Sequence, residues 1–81
     1  MPLNNQSYDI VLANILSGIL IELSTTIAPL VKSGGSLVLT GILEEQAASV
    51  QAAYANDFDL TVSDNIDGWV LLTGRKFAAT T

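Results

Sequence analysis

The polar residue best placed to do chemistry in this chain is Asn14. It closes the run Tyr8-Asp9-Ile10-Val11-Leu12-Ala13-Asn14, which is apolar without a break between Asp9 and Asn14. A continuous apolar run, unlike an alternating one, marks a strand covered on both faces, as in a parallel α/β sheet. A helical pattern starts just beyond Asn14, so Asn14 stands at the carboxyl end of a strand, where open α/β sheets bind their ligands. A second reading stands beside this one: Asn is also an ordinary residue of a strand-to-helix turn.

The other chemistry-bearing residue types narrow the field. The chain has no Cys and no His. That excludes thiolate and imidazole metal sites, histidine acid–base catalysis and disulfides, and it fits a reducing compartment. Asp57, Asp59, Asp64 and Asp67 invite a calcium reading, but the loop glycine and closing Glu of a calcium loop are missing, so they read as a solvated strand face and no metal is expected. Eight acidic residues face only three basic ones (Lys32, Arg75 and Lys76), for a formal net charge of -5. A binder of nucleic-acid phosphates needs clustered Lys and Arg, so no nucleic-acid partner is expected. Arg75 and Lys76 alternate across the last strand and read as protection of a sheet edge.

These residues need elements to hold them, and 81 residues suffice for one small domain. The most apolar segment, Ile10 to Leu23, is too short between Asp9 and Glu22 for the ~20 residues of a membrane span. No basic residue precedes it as a secretory signal would require. A cytoplasmic protein without a membrane partner is the expectation. Met1 to Ser7 reads as a disordered lead-in, and 78–81 as a tail. After the first strand, Ile15, Leu16, Ile19, Leu20, Leu23, Ile27, Leu30 and Val31 fall at helical spacing. Ser17 is the candidate N-cap, and Pro29 should end the main helix, with a short turn on to Lys32. Ser33-Gly34-Gly35 supplies a glycine stop, and Ser36 to Thr40 is a second buried strand closed by Gly41. Strand, helix, strand makes a right-handed crossover with parallel strands. Leu43, Ala47, Val50 and Tyr54 share one face of a second helix, Glu44 and Glu45 suit its first turn, and Asn56-Asp57 stops it. Phe58, Leu60 and Val62 alternate with polar residues as a half-exposed strand. Asp67-Gly68 is a hairpin turn, and Trp69 to Phe77 is the return strand. The fold class is therefore α/β, a sheet of about four strands (two parallel plus an antiparallel hairpin) with two helices. Leu12, Leu23, Val38 and Leu39 are expected in its core.

Three short motifs carry a resemblance to a known family. Val31-Lys32-Ser33-Gly34-Gly35-Ser36-Leu37-Val38-Leu39-Thr40-Gly41 resembles the glycine turn and strand of Rossmann-like methyltransferases. Those enzymes use S-adenosylmethionine and close their sheet with an antiparallel hairpin. Within them, Asp9 to Leu16, Thr40-Gly41-Ile42-Leu43 and Thr73-Gly74-Arg75-Lys76 resemble the ribosomal protein L11 methyltransferase family, over nearly the whole stretch from Tyr8 to Lys76. The resemblance implies the C-terminal half of a methyltransferase sheet: residues 8–77 as a partial domain that lacks the glycine-rich cofactor loop. It also implies that Asn14 contacts the methionine end of the cofactor and the methyl acceptor. An amide suits that task, because it can accept from an amine and donate through its NH2 without placing charge beside a sulfonium. Where amino-group methyltransferases generally follow this residue with two prolines and an aromatic, Ile15-Leu16-Ser17 follows here, which fits the ribosomal-protein subfamily. Trp69, at the mouth of the hairpin, either faces an acceptor protein or covers the sheet edge.

Two classes of function follow. In one, the chain is part of a methyltransferase acting on amines of a ribosomal protein with S-adenosylmethionine, inactive as an isolated chain. In the other, it is a non-catalytic oligomerising α/β module. Either way the edge of strand 8–13 has no charged residue within Ile10 to Ala13 to blunt it, and a homo-oligomer, most simply a homodimer, is expected through that edge.

Overall fold

In the structure, a computed structural model that describes residues 7–78, the first strand and the last hairpin meet on one central strand. β1 (Tyr8–Asn14) runs parallel to β2 (Val31–Leu43), β2 pairs antiparallel with β4 (Trp69–Arg75), and β4 pairs antiparallel with β3 (Thr61–Ile66). The resulting four-stranded sheet has the order β1-β2-β4-β3. This is the expected mixed sheet. The expected lead-in over 1–7 and tail over 78–81 lie outside the described residues, apart from Ser7 and Ala78.

The helical layer comes in three pieces rather than two: α1 (Ser17–Glu22), α2 (Ser24–Ile27) and α3 (Ala47–Tyr54). The first expected helix is broken at Leu23, ahead of Ser24-Thr25-Thr26. Hydroxyl and β-branched residues compete with helical backbone bonds or lose rotamer freedom in a helix, so this is a weak place to continue one. A 3-10 turn at Ala28–Leu30 holds Pro29 near its start and hands the chain to β2. Ser17 is not the N-cap. Leu16 occupies that position without a side-chain cap.

β2 begins at Val31, five residues before the expected strand, but its regular pairing does start at Ser36. Tyr8 pairs with Val31 and Ile10 with Ser36, so residues 32–35 bulge out of the ladder. Lys32 thus sits on this bulge rather than at a helix end, 3.7 Å from Asp9 in an exposed ion pair. The hairpin turn is as its residues demand, with Asp67 at φ 53° and Gly68 at φ 86°. Positive φ at both central positions is the twist that joins right-twisted antiparallel strands. β3 starts later than expected, at Thr61, and is exposed throughout. Of the three alternating residues, Phe58 and Leu60 are buried while Val62 is 47% exposed.

One face of the sheet makes the core. Leu37, Leu39 and Ile42 of β2, Val70 and Leu72 of β4 and Ala13 of β1 cluster with Leu20, Ile27, Val50 and Tyr54 from the helices. The Tyr54 hydroxyl donates to the Leu20 carbonyl at 2.7 Å, tying α3 to α1. Burial holds that phenol's pKa above its ordinary value. The other face corrects the sequence reading of β1 as covered on both sides. Ile10 and Leu12 are each 67% exposed, because among the described residues β1 is an edge strand with helices on only one of its faces. Leu39 is buried as expected, whereas Leu23 and Val38 are only half-buried.

The basic residues are also reassigned. β4 lies between β2 and β3, so Arg75 and Lys76 do not protect an edge. The Lys76 ammonium instead donates to the Ala28 carbonyl at 2.8 Å and the Val31 carbonyl at 3.0 Å. It caps the carbonyl end of the 3-10 turn, where positive charge is favoured. No helix among the described residues is long and apolar enough to cross a membrane.

Candidate functional site

The carboxyl end of β1 and the middle of β2 form one corner of the molecule. Asn14 pairs with Thr40 in the parallel ladder. On its other side, β2 shifts register against β4 between Leu39 and Ile42. Gly41 sits inside that bulge at φ 78°. A β-carbon built on Gly41 would fall 2.6 Å from Asn14 Oδ1, so the Asn14 amide lies directly over the bare glycine. Asn14 is itself solvent-exposed.

Beside this pair opens a cleft of about 420 Å³. Leu16, Ile19, Leu43 and Trp69 give it apolar walls, Gly18 and Gly41 leave room, and Ser17, Gln46 and Glu22 are its polar groups. The Ser17 hydroxyl donates to Gln46 Oε1 at 2.7 Å, which joins the start of α1 to the 3-10 turn Glu44–Gln46 that leads into α3. The lining holds one carboxylate and no Lys or Arg. Such a cleft can take an apolar or cationic group and disfavours an anionic one. Asn14 does not line the cleft itself; its amide lies next to Gly41, which does.

The structure thus brings Asn14, Thr40-Gly41-Ile42-Leu43 and Trp69 to one end of the sheet, and leaves Thr73-Gly74-Arg75-Lys76 at the other. Trp69 is 53% exposed and forms a cleft wall rather than an edge cover. Glu22 and Gln46 carried no signal in the sequence as site residues, and Ser17 carried the wrong one. The hydrogen bond that joins Ser17 to Gln46 spans 29 residues, beyond any local pattern. Among the described residues no group of three or more Asp or Glu side chains is gathered closely enough to hold a metal. Asp64 and Asn65 instead serve the hairpin, where the Asn65 side chain accepts from the Gly68 amide at 3.1 Å.

A parallel β-α-β crossover continued by an antiparallel hairpin, with its cleft at the carboxyl end of the parallel strands, defines an open-sheet α/β protein, the arrangement expected from the motifs' resemblance to Rossmann-like methyltransferases. The comparisons narrow that class. A family profile described as "Ribosomal protein L11 methyltransferase (PrmA)" matches residues 1–77, and the chain belongs to that family. It is 56% identical over 68 residues to a ribosomal protein L11 methyltransferase of Pseudomonas fluorescens (strain Pf0-1), covering 84% of this chain and 23% of the relative. The relative of the same name in Pseudomonas savastanoi pv. phaseolicola is 51% identical over 74 residues, covering 91% of this chain and 25% of the relative. A crystal structure of a ribosomal protein L11 methylase from Lactobacillus delbrueckii subsp. bulgaricus superposes with a TM-score of 0.75 at 27% identity, over 88% of this chain and 38% of that one. The chain therefore spans about a quarter of the curated relatives' length.

Proposed function

We propose that residues 8–77 are a partial methyltransferase domain, supplying one wall of a site that transfers methyl groups from S-adenosylmethionine to amines of a ribosomal protein. The observation that carries this reading is the Asn14 amide at the end of β1, held over Gly41 at the side of a cleft without basic residues. That donor set suits a cofactor whose sulfur is positively charged: an amide and an apolar wall neither repel it nor neutralise it. When bound, the cofactor supplies an electrophilic methyl group. Asn14 orients the groups on either side of the transfer, accepting from an amine N–H and donating through its NH2. Trp69, Leu16 and Leu43 give the cleft its apolar walls, and Glu22 is its one carboxylate, a counter-charge for the ammonium form of the acceptor, which must give its proton to water before the free amine can attack. We place the protein in the cytoplasm, where ribosomal proteins are made.

Nothing among the described residues forms a glycine-rich turn at a helix N-terminus of the kind that cradles a nucleotide. The isolated chain is therefore expected to be inactive, with no measurable heat of S-adenosylmethionine binding by calorimetry. The direct test joins this chain to the upstream part of the Pseudomonas fluorescens relative, of which it covers 23%. In that chimera Asn14→Ala should cut methyl transfer by about 10²-fold or more, the usual loss when an orienting polar group is removed. Near-full activity of the variant would overturn the assignment.

The second reading, an oligomerising module without chemistry, rests on a different observation. Among the described residues no strand pairs with the outer side of β1 along 10–13, where Ile10 and Leu12 are exposed. In the isolated chain, pairing of two β1 edges into a homodimer would cover it.

A further inference from the structure

We propose that Gly41 is a positioning residue for Asn14: the side chain that Gly41 lacks is what allows the Asn14 amide to keep its place over this cleft-lining glycine. This rests on the reading of Asn14 as a site residue. The structure has three glycines at left-handed φ among the described residues, Gly34 at 79°, Gly41 at 78° and Gly68 at 86°. A β-carbon added to Gly34 or Gly68 would meet nothing within 4 Å. At Gly41 it would meet Asn14 Oδ1 at 2.6 Å and Cγ at 3.8 Å. The first distance is shorter than any carbon–oxygen contact two side chains sustain, so one of the two must move. Gly41 is held on both sides by ladders, with Thr40 paired to Asn14 and Ile42 to Val70. The exposed amide is the softer partner, and it is the one that would be displaced.

The bulge explains why this glycine sits here. An extra residue in one strand of an antiparallel pair bends the strand and re-aims its neighbours. In β2 the extra residue falls at the point where the strand also passes the end of β1. A regular strand would present a side chain where the bulge presents a bare α-carbon. Gly41 thus serves Asn14 and the cleft at once, since it also lines the latter.

Gly34 supplies the control, because an alanine there carries the same backbone strain without the contact. In 1H–15N spectra of the chain, Gly41→Ala should shift the Asn14 side-chain NH2 pair, and Gly34→Ala should leave it in place. In the chimera with the Pseudomonas fluorescens upstream part, Gly41→Ala should lower kcat about tenfold or more with a smaller change in KM, while Gly34→Ala stays within about twofold. Placed on top of Asn14→Ala, Gly41→Ala should cost about twofold or less, since coupled residues are non-additive. An unmoved amide pair, or an equal loss of kcat in both backgrounds, would overturn the proposal. If Asn14→Ala alone keeps full activity, the site reading fails, and the amide shift still decides whether Gly41 positions Asn14. Should Gly41→Ala not fold, folding of Asn14→Ala/Gly41→Ala supports the contact. Failure of the double variant to fold, with Gly34→Ala folded, rejects it.

Discussion

Leu39 and Tyr54 carry the two clearest predictions at the scale of the residue. Leu39 is fully buried in the core face of the central strand. Leu39→Ala should cost about 2–5 kcal/mol through lost transfer energy and a cavity. That is comparable with the whole stability of a small domain, and urea titration followed by circular dichroism would read it. Tyr54 is a pH probe. Its phenol is buried against the Leu20 carbonyl with its pKa raised by desolvation. Below the unfolded value of about 10 both states are neutral. Above it the unfolded chain loses the proton first, so the folded state binds more protons and stability falls as pH rises. The melting temperature should therefore decline above pH ~10, and Tyr54→Phe should flatten that decline while lowering stability at neutral pH. An identical alkaline slope in the variant would show that the phenol is not the cause.

The elements show which parts of the fold were legible and why. Asp67-Gly68 announced its turn because the chemistry is local: positive φ is demanded and the residues permit it. Gly68→Ala should accordingly cost about 1–2 kcal/mol in a thermal melt. The parallel pairing of β1 and β2 was equally readable, since a helical crossover fixes direction. The break at Leu23 was hidden because apolar spacing continues through it. The cap at Leu16 was hidden because Ser17, the residue that looks like a cap, has its hydroxyl taken by Gln46. The place of Asn14 at a strand end was legible, but its approach to Gly41 depends on a bulge that no spacing rule contains. Lys76 was misread for the same reason: its role depends on a 3-10 turn 45 and more residues earlier. Lys76→Met keeps most of the stem and removes the two charged hydrogen bonds. It should destabilise by about 1.5–3 kcal/mol, nearer the lower figure because the residue is half-buried. Denaturant midpoints compared with Arg75→Met, which has an exposed side chain, would check it.

Taken whole, the molecule is a two-layer structure in which, among the described residues, no strand pairs with the outer side of β1 or of β3 and part of one sheet face is bare. The exposed Ile10 and Leu12 were unreadable as such, because an uninterrupted apolar run states that a strand expects cover without saying what supplies it. In isolation this chain should self-associate through β1. Successive backbone N–H groups along a strand point to opposite sides, so of Val11 and Leu12 one donates to β2 and the other faces the outer side. Proline at the second position should yield a folded monomer, and proline at the first should unfold β1. Light scattering of the parent chain at ~100 μM is the check. A folded monomer there, far above a dissociation constant of ~1 μM worth roughly 8 kcal/mol, would reject the pairing.

The register of the central strand has one more consequence. Ser36 of β2 is flanked by Ile10 on one side and Arg75 on the other, so the chain enters and leaves the sheet as next-but-one neighbours, about 10 Å apart at two strand spacings. Both passages lie at the end of the sheet opposite Asn14, a β1 length or about 20 Å from it. A linker of a few residues could therefore join position 8 to position 77, and the ring could be reopened at the Asp67-Gly68 turn to give a circular permutant with the same ladders. Fluorophores or affinity handles attached at position 8 or 77 would stand on the far side from the cleft, leaving its mouth clear.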